Sequence, residues 1–146
     1  MGNTSGTHVW LVMMKAHRAL ERLARQSIEA AEVGLSDFGV LEMLLHKGPQ
    51  PVNEIGRRIG LTSGAITVAV DRLASCGLVA RRNHPRDRRT RVVCLTPAGR
   101  TKAAALFKSH QAVMDSAGGA LTQGERSELI RLLKKLGTSA GDIKEK

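Results

Sequence analysis

The sequence predicts a mainly α-helical fold with one small β-hairpin, and three observations carry that prediction. Apolar side chains recur at helical spacing in six stretches, each bounded by a recognisable cap or breaker. Two runs of strand-forming residues stand together after the fourth stretch. Hydrophobic residues make up 42% of the 146 and charged ones 25%, which supports one core and excludes wholesale disorder.

Thr7 caps a first helix that runs to about Glu32, behind a loose tail over residues 1–6. Val9, Met13, Ala16, Leu20 and Leu23 form its stripe, and Trp10, Leu11 and Met14 widen it. A start that is apolar on most sides needs burial beyond one groove, which a second subunit provides. Ser36 caps a second helix with Phe38, Leu41, Leu44 and Leu45 inward, and Lys47-Gly48-Pro49 stops it. A short third helix carries Val52, Ile55 and Ile59 on one side and ends at Gly60.

Thr62 caps the fourth helix and Gly77 closes it. Ile66, Ala69, Val70 and Leu73 form its buried side. Opposite lie Gly64, Thr67, Val68, Asp71 and Ser75, with Arg72 at the margin. The strands are Leu78 to Asn83 and Thr90 to Leu95, the second alternating as a half-exposed strand does. Thr96-Pro97 opens a fifth helix that reaches about Ala117, before Gly118-Gly119. Thr122 to Glu125 is a capping box for the sixth, whose stripe is Leu129, Leu132, Leu133 and Leu136 and whose end is Gly137. In order, these elements make a winged helix-turn-helix region at 35–99. An N-terminal dimerisation helix with its tail (1–34) precedes it, and C-terminal dimerisation helices (100–146) follow.

The charge is as local as the strands. The net charge is +10, and residues 57 to 102 hold eleven basic side chains against Asp71 and Asp87, so nine of the ten excess charges lie there. Six arginines fall between Arg81 and Arg91. Like charge packed so densely repels itself and needs a polyanion, and arginine suits bidentate phosphate contact. With only 2% aromatic residues, base stacking on single strands is excluded. The expected partner is double-stranded DNA.

These residues resemble the MarR family of bacterial transcription regulators over roughly Val9 to Leu136. The specific part is Gly60-Leu61-Thr62 through Asp71-Arg72-Leu73, then Gly77-Leu78-Val79, Asp87-Arg88-Arg89 and Leu95-Thr96-Pro97-Ala98-Gly99. The resemblance implies an obligate homodimer whose first, fifth and sixth helices interlock. It also implies a fourth helix in the major groove and a hairpin wing along the minor groove. Three positions depart from the family's usual pattern: His84 where Asp is common, Gly56 where Ala is, and Val68 where a polar or basic residue is. Family members take small aromatic or phenolic effectors in a cleft beside the first helix, which puts forward Trp10, Met13, Met14 and His17 here.

Independent physical roles can be given to the surface. The start of the fourth helix offers backbone amides to a phosphate, with the hydroxyls of Thr62 and Ser63 beside them and Gly64 leaving room. Thr67 can reach a base edge, whereas Ala65 and Val68 can make only apolar contacts, with thymine methyls as partners. Arg72 and Arg91 flank this surface, and Arg86 or Arg88 at the wing tip suits a narrow minor groove. Asp87 is expected to orient Arg89 rather than touch DNA.

Other chemistries find little. The two cysteines, Cys76 and Cys94, fit a reducing cytosol rather than a disulfide scaffold, and Cys76 sits at a helix C-terminus where a thiolate is disfavoured. The five histidines lack metal-ligand spacing, and no nucleophile has a neighbouring base. No apolar run is long enough for a membrane span. The expectation is a cytoplasmic, cofactor-free, sequence-specific regulator, a repressor released from a palindromic operator by a small molecule. The alternative is an architectural protein that coats DNA by charge alone.

Overall fold

The computed structural model describes residues 2–143. Helix α1 spans Gly6–Glu29. Ser5, not Thr7, caps it by accepting the His8 N–H at 3.2 Å. The Asn3 side chain decides this, because it accepts the Ser5 N–H at 2.9 Å and holds Ser5 extended, as a cap requires. The tail is therefore shorter than expected. At its other end α1 stops at Glu29, and Glu32 turns the chain with φ 57°.

Helix α2 spans Leu35–Lys47 behind an extended Gly34. Ser36 falls inside its first turn and caps nothing, while Asp37 supplies the negative charge there. Gly48 ends it with φ 73°. Strand β1 is Gln50–Pro51, α3 spans Val52–Ile59 and α4 spans Ser63–Ser75. Strands β2 (Val79–Asn83) and β3 (Arg91–Leu95) follow. The long helices α5 (Pro97–Gly118) and α6 (Gln123–Asp142) close the chain. Among the described residues no helix is long and apolar enough to cross a membrane.

The sheet has three antiparallel strands in the order β1-β3-β2, where the sequence predicts two. Gln50 faces Val93 and Pro51 faces Val92 on one side, and Arg82 faces Val92 on the other. A strand flanked on both sides is covered more fully, and Val92, Val93 and Cys94 are all buried, which corrects the expected half-exposed alternation. The core joins Ile28 of α1, Phe38, Val40, Leu41 and Leu44 of α2, and Ile55 of α3. It continues through all four predicted inward residues of α4, Val79, Val93, and Ala103 and Leu106 of α5.

Two glycines permit close approaches. A Cβ on Gly56 would stand 3.0 Å from Ile66 Cγ2 and 3.3 Å from the Leu61 carbonyl. Glycine here lets α3 lie close against α4. Gly99 is tighter still. Thr96 Oγ1 accepts the Gly99 N–H at 3.0 Å and donates to the Gly77 carbonyl at 2.6 Å, drawing α5 onto the strand entry. A Cβ at Gly99 would lie 1.8 Å from the Leu78 carbonyl oxygen. Gly99→Ala is therefore expected to destabilise the fold by about 3 kcal/mol or more. Thermal unfolding at fixed protein concentration checks it, and an unchanged midpoint would contradict this packing.

Helix α6 does not stop at Gly137. That glycine stays right-handed and the helix continues to Asp142, since one interior glycine weakens a helix by only about 1 kcal/mol. The capping box forms as predicted, with Thr122 Oγ1 accepting the Glu125 N–H at 3.3 Å and Glu125 accepting the Thr122 N–H at 2.8 Å. Yet α6 buries no residue and leans on almost nothing in its own chain. The first half of α1 is equally bare, with Val9, Trp10, Leu11, Val12 and Met13 exposed.

Candidate nucleic-acid interface

The turn between α3 and α4 is set by Gly60, left-handed at φ 73° and followed by a Leu61 N–H donated to the Gly56 carbonyl at 2.8 Å. Thr62 then caps α4, its Oγ1 accepting the Ala65 N–H at 3.2 Å. The first turn holds no acid, so nothing in it competes with an incoming anion for the remaining amides. Thr62, Ser63, Gly64, Ala65, Thr67, Val68, Asp71 and Ser75 are all exposed, so the structure keeps the predicted outer face together. Thr67 is less free than its position suggests: its hydroxyl donates to the Ser63 carbonyl at 2.8 Å.

The basic residues divide into paired and unpaired sets. Arg72 grips Asp37 of α2 with two bonds, Nε to Oδ2 at 2.8 Å and Nη2 to Oδ1 at 2.5 Å. Asp37 is buried while the Arg72 side chain is 51% exposed. The bond to Asp37 raises the Arg72 pKa further above its ordinary value. Arg72 thus fastens α4 to the core. Arg72→Ala would strand a buried carboxylate and is expected to lower stability by about 2 kcal/mol, less than for a fully buried pair. Chemical denaturation without DNA measures that loss, and no loss would mean the pair is idle.

Arg81 of β2 reaches Asp71 of α4 at 2.5 Å, joining the hairpin's root to the outer face of the helix. Arg57 and then Arg58 hold the Glu54 carboxyl down at about 2. Arg82, Arg86, Arg88, Arg89 and Arg91 are exposed and pair with no acid among the described residues. Between the strands, Asp87 accepts the Arg89 backbone N–H at 3.0 Å and the Thr90 hydroxyl at 2.9 Å. Those two bonds lower its pKa, so the anion that holds the turn persists. Asp87 therefore orders the wing's backbone, where an interaction with the Arg89 guanidinium is expected from sequence. His84 Nδ1 accepts the Arg86 N–H at 3.1 Å and steadies the other limb.

The residues put forward for an effector lie elsewhere. Trp10, Met13 and His17 are exposed and Met14 is half-buried on the bare half of α1. A cavity of about 340 Å³ opens instead at the root of α1, lined by Ala24 and Ile28, by Leu35, Phe38 and Gly39 of α2, by Ile59 and Leu61, and by His110 of α5. His110 Nδ1 is 3.2 Å from Ser27 Oγ, and its ring meets Phe38 edge-on at 4.9 Å. No local pattern marks this cavity, because its walls come from segments far apart in sequence.

Residues 35–90 match the MarR family model. The HTH-type transcriptional regulator MhqR of Bacillus subtilis is 32% identical over 138 residues, 94% of this chain and 95% of its own. The HTH-type transcriptional repressor MdtR of the same organism is 30% identical over 115 residues, 79% of this chain and 74% of its own. Among solved structures, a MarR variant from E. coli complexed with operator DNA is 25% identical with a TM-score of 0.74, covering 88% of this chain and 92% of that one. A probable transcriptional regulator from Pseudomonas aeruginosa is 27% identical at a TM-score of 0.73, covering 88% and 96%. Likeness along nearly the whole chain, together with a capped helix and an arginine hairpin, makes this protein a member of the MarR family of DNA-binding transcription regulators, which are not enzymes.

Proposed function

We propose that the protein is a homodimeric repressor that reads a palindromic operator and leaves it when a small molecule binds. One observation carries the DNA-reading part. The Asp71–Arg81 pair neutralises the acid on a small-residue helix face and ties that face to a hairpin with five arginines unpaired among the described residues, so reading and gripping surfaces adjoin. Helix α4 enters the major groove, the wing follows the backbone into the minor groove, and Thr62 and Ser63 meet a phosphate.

Surface area supports the dimer. The chain exposes 10677 Å², against about 7,300 Å² for a compact monomer of its mass. The excess is about 3,400 Å², and large exposed hydrophobic side chains concentrate on α6 and the bare half of α1, the surfaces an obligate dimer would cover. Repression follows the role of the relative MdtR, a transcriptional repressor. Release by an effector rests on the cavity at the root of α1, which touches α2 and α3 at once and so can shift the reading helix relative to the dimer arms.

Selection from a random duplex pool with the full-length protein tests this reading. A two-fold symmetric site is expected, with half-sites about 34–36 Å apart. A pool that never enriches would favour the architectural alternative and overturn the proposal.

A further inference from the structure

We infer that α4 reads its site through pyrimidine C5-methyl groups, with Val68 as the residue that touches them. This rests on the reading above that α4 enters the major groove. Val68 is 58% exposed on the outer face, one helical turn after Gly64, where a Cβ would meet nothing within 4 Å. Its isopropyl group therefore stands clear of its own fold. The hydroxyls of Thr67 and Ser75 have no proton left to donate. The Thr67 proton is on the Ser63 carbonyl and the Ser75 proton is on the Asp71 carbonyl. Arg72 is held by Asp37, and Arg81 by Asp71.

The outer face also has no Asn, Gln or Lys. The amide and ammonium side chains that often identify adenine and guanine are therefore missing from this face, and its marginal guanidinium, Arg72, is anchored on Asp37. An exposed branched apolar side chain in the major groove finds one apolar feature on a base edge, the C5 methyl. Thymine carries it, and so does 5-methylcytosine. Thr67, with its proton committed, presents lone pairs that accept from the amino group of a neighbouring adenine or cytosine.

The test uses the selected duplex, with each thymine replaced in turn by deoxyuridine and affinity read by fluorescence anisotropy. One thymine per half-site is expected to lose about four-fold on losing its methyl, or about fifteen-fold for both half-sites together. The Val68→Ala protein should bind the thymine and deoxyuridine duplexes equally. At the same position, 5-methylcytosine should bind better than cytosine for the unmodified protein and equally for Val68→Ala. A uridine scan that is flat, or identical in the two proteins, overturns the inference. Thr67→Asp separates the two levels, since a carboxylate on this face should abolish binding wherever α4 meets DNA. Full binding by Thr67→Asp would overturn the placement of α4 itself. Lost binding by Thr67→Asp with a flat scan would overturn methyl reading alone.

Discussion

Leu132→Asp combined with Leu136→Asp is expected to convert the dimer to monomer and to lower affinity for a two-fold site by at least about a thousand-fold. Both leucines are exposed in the single chain although they lie on one stripe of a 20-residue helix. Each leucine buried in a dimer contributes about 1.5–3 kcal/mol, and four are lost across two subunits, so the loss is about 6 kcal/mol or more. Helix α6 has little other support in its own chain. A lone helix of that length is marginal in water, so the variant should also lose helical signal. Sedimentation and far-UV circular dichroism measure the two effects. A variant that stays dimeric would place the interface elsewhere.

Raising salt from 50 to 200 mM is expected to weaken operator binding about ten-thousand-fold. Five unpaired arginines per subunit, Arg82, Arg86, Arg88, Arg89 and Arg91, give ten per dimer once Arg81 is set aside on Asp71. With about eight phosphates neutralised, log K falls against log salt at a slope near −7. Arg88→Ala should flatten that slope by about two, one for each subunit. Similar losses on operator and random duplex would assign Arg88 to phosphate, and a larger loss on operator would assign it to a narrow A·T minor groove. A slope unaffected by Arg88→Ala would remove the wing tip from the interface.

What the sequence reveals is mostly what is local. The helix caps at Thr62, Thr96 and the Thr122–Glu125 box are bonds across three residues, and each forms as its spacing predicts. The inward residues of α4 follow from helical period alone. Local logic fails where two candidates compete, as Ser5 and Thr7 do, because the choice depends on Asn3 folding back. It fails again for β1, two residues long and defined only by its partners in β3.

The candidate site follows the same division. Its surface residues are legible as an outer face and a charge cluster, but their pairing is not. Arg72 finds Asp37 across 35 positions, and Arg81 finds Asp71 across 10. Both pairs withdraw charges that composition assigns to DNA. Asp87 has Arg86, Arg88 and Arg89 beside it in sequence, yet the backbone amide and hydroxyl two and three residues on are what it binds. The cavity at the root of α1 depends on four helices meeting, which no spacing encodes.

Competition between one selected site and bulk DNA tests sequence reading most directly. The protein is bound to a labelled duplex carrying the selected site, and unlabelled random duplex is added to a thousand-fold excess at physiological salt. A regulator whose α4 reads bases should keep its labelled site, since specific binding exceeds non-specific binding by about 10³–10⁷. Loss of the label in simple proportion to competitor mass would mean that charge alone holds the protein to DNA, and would contradict the account.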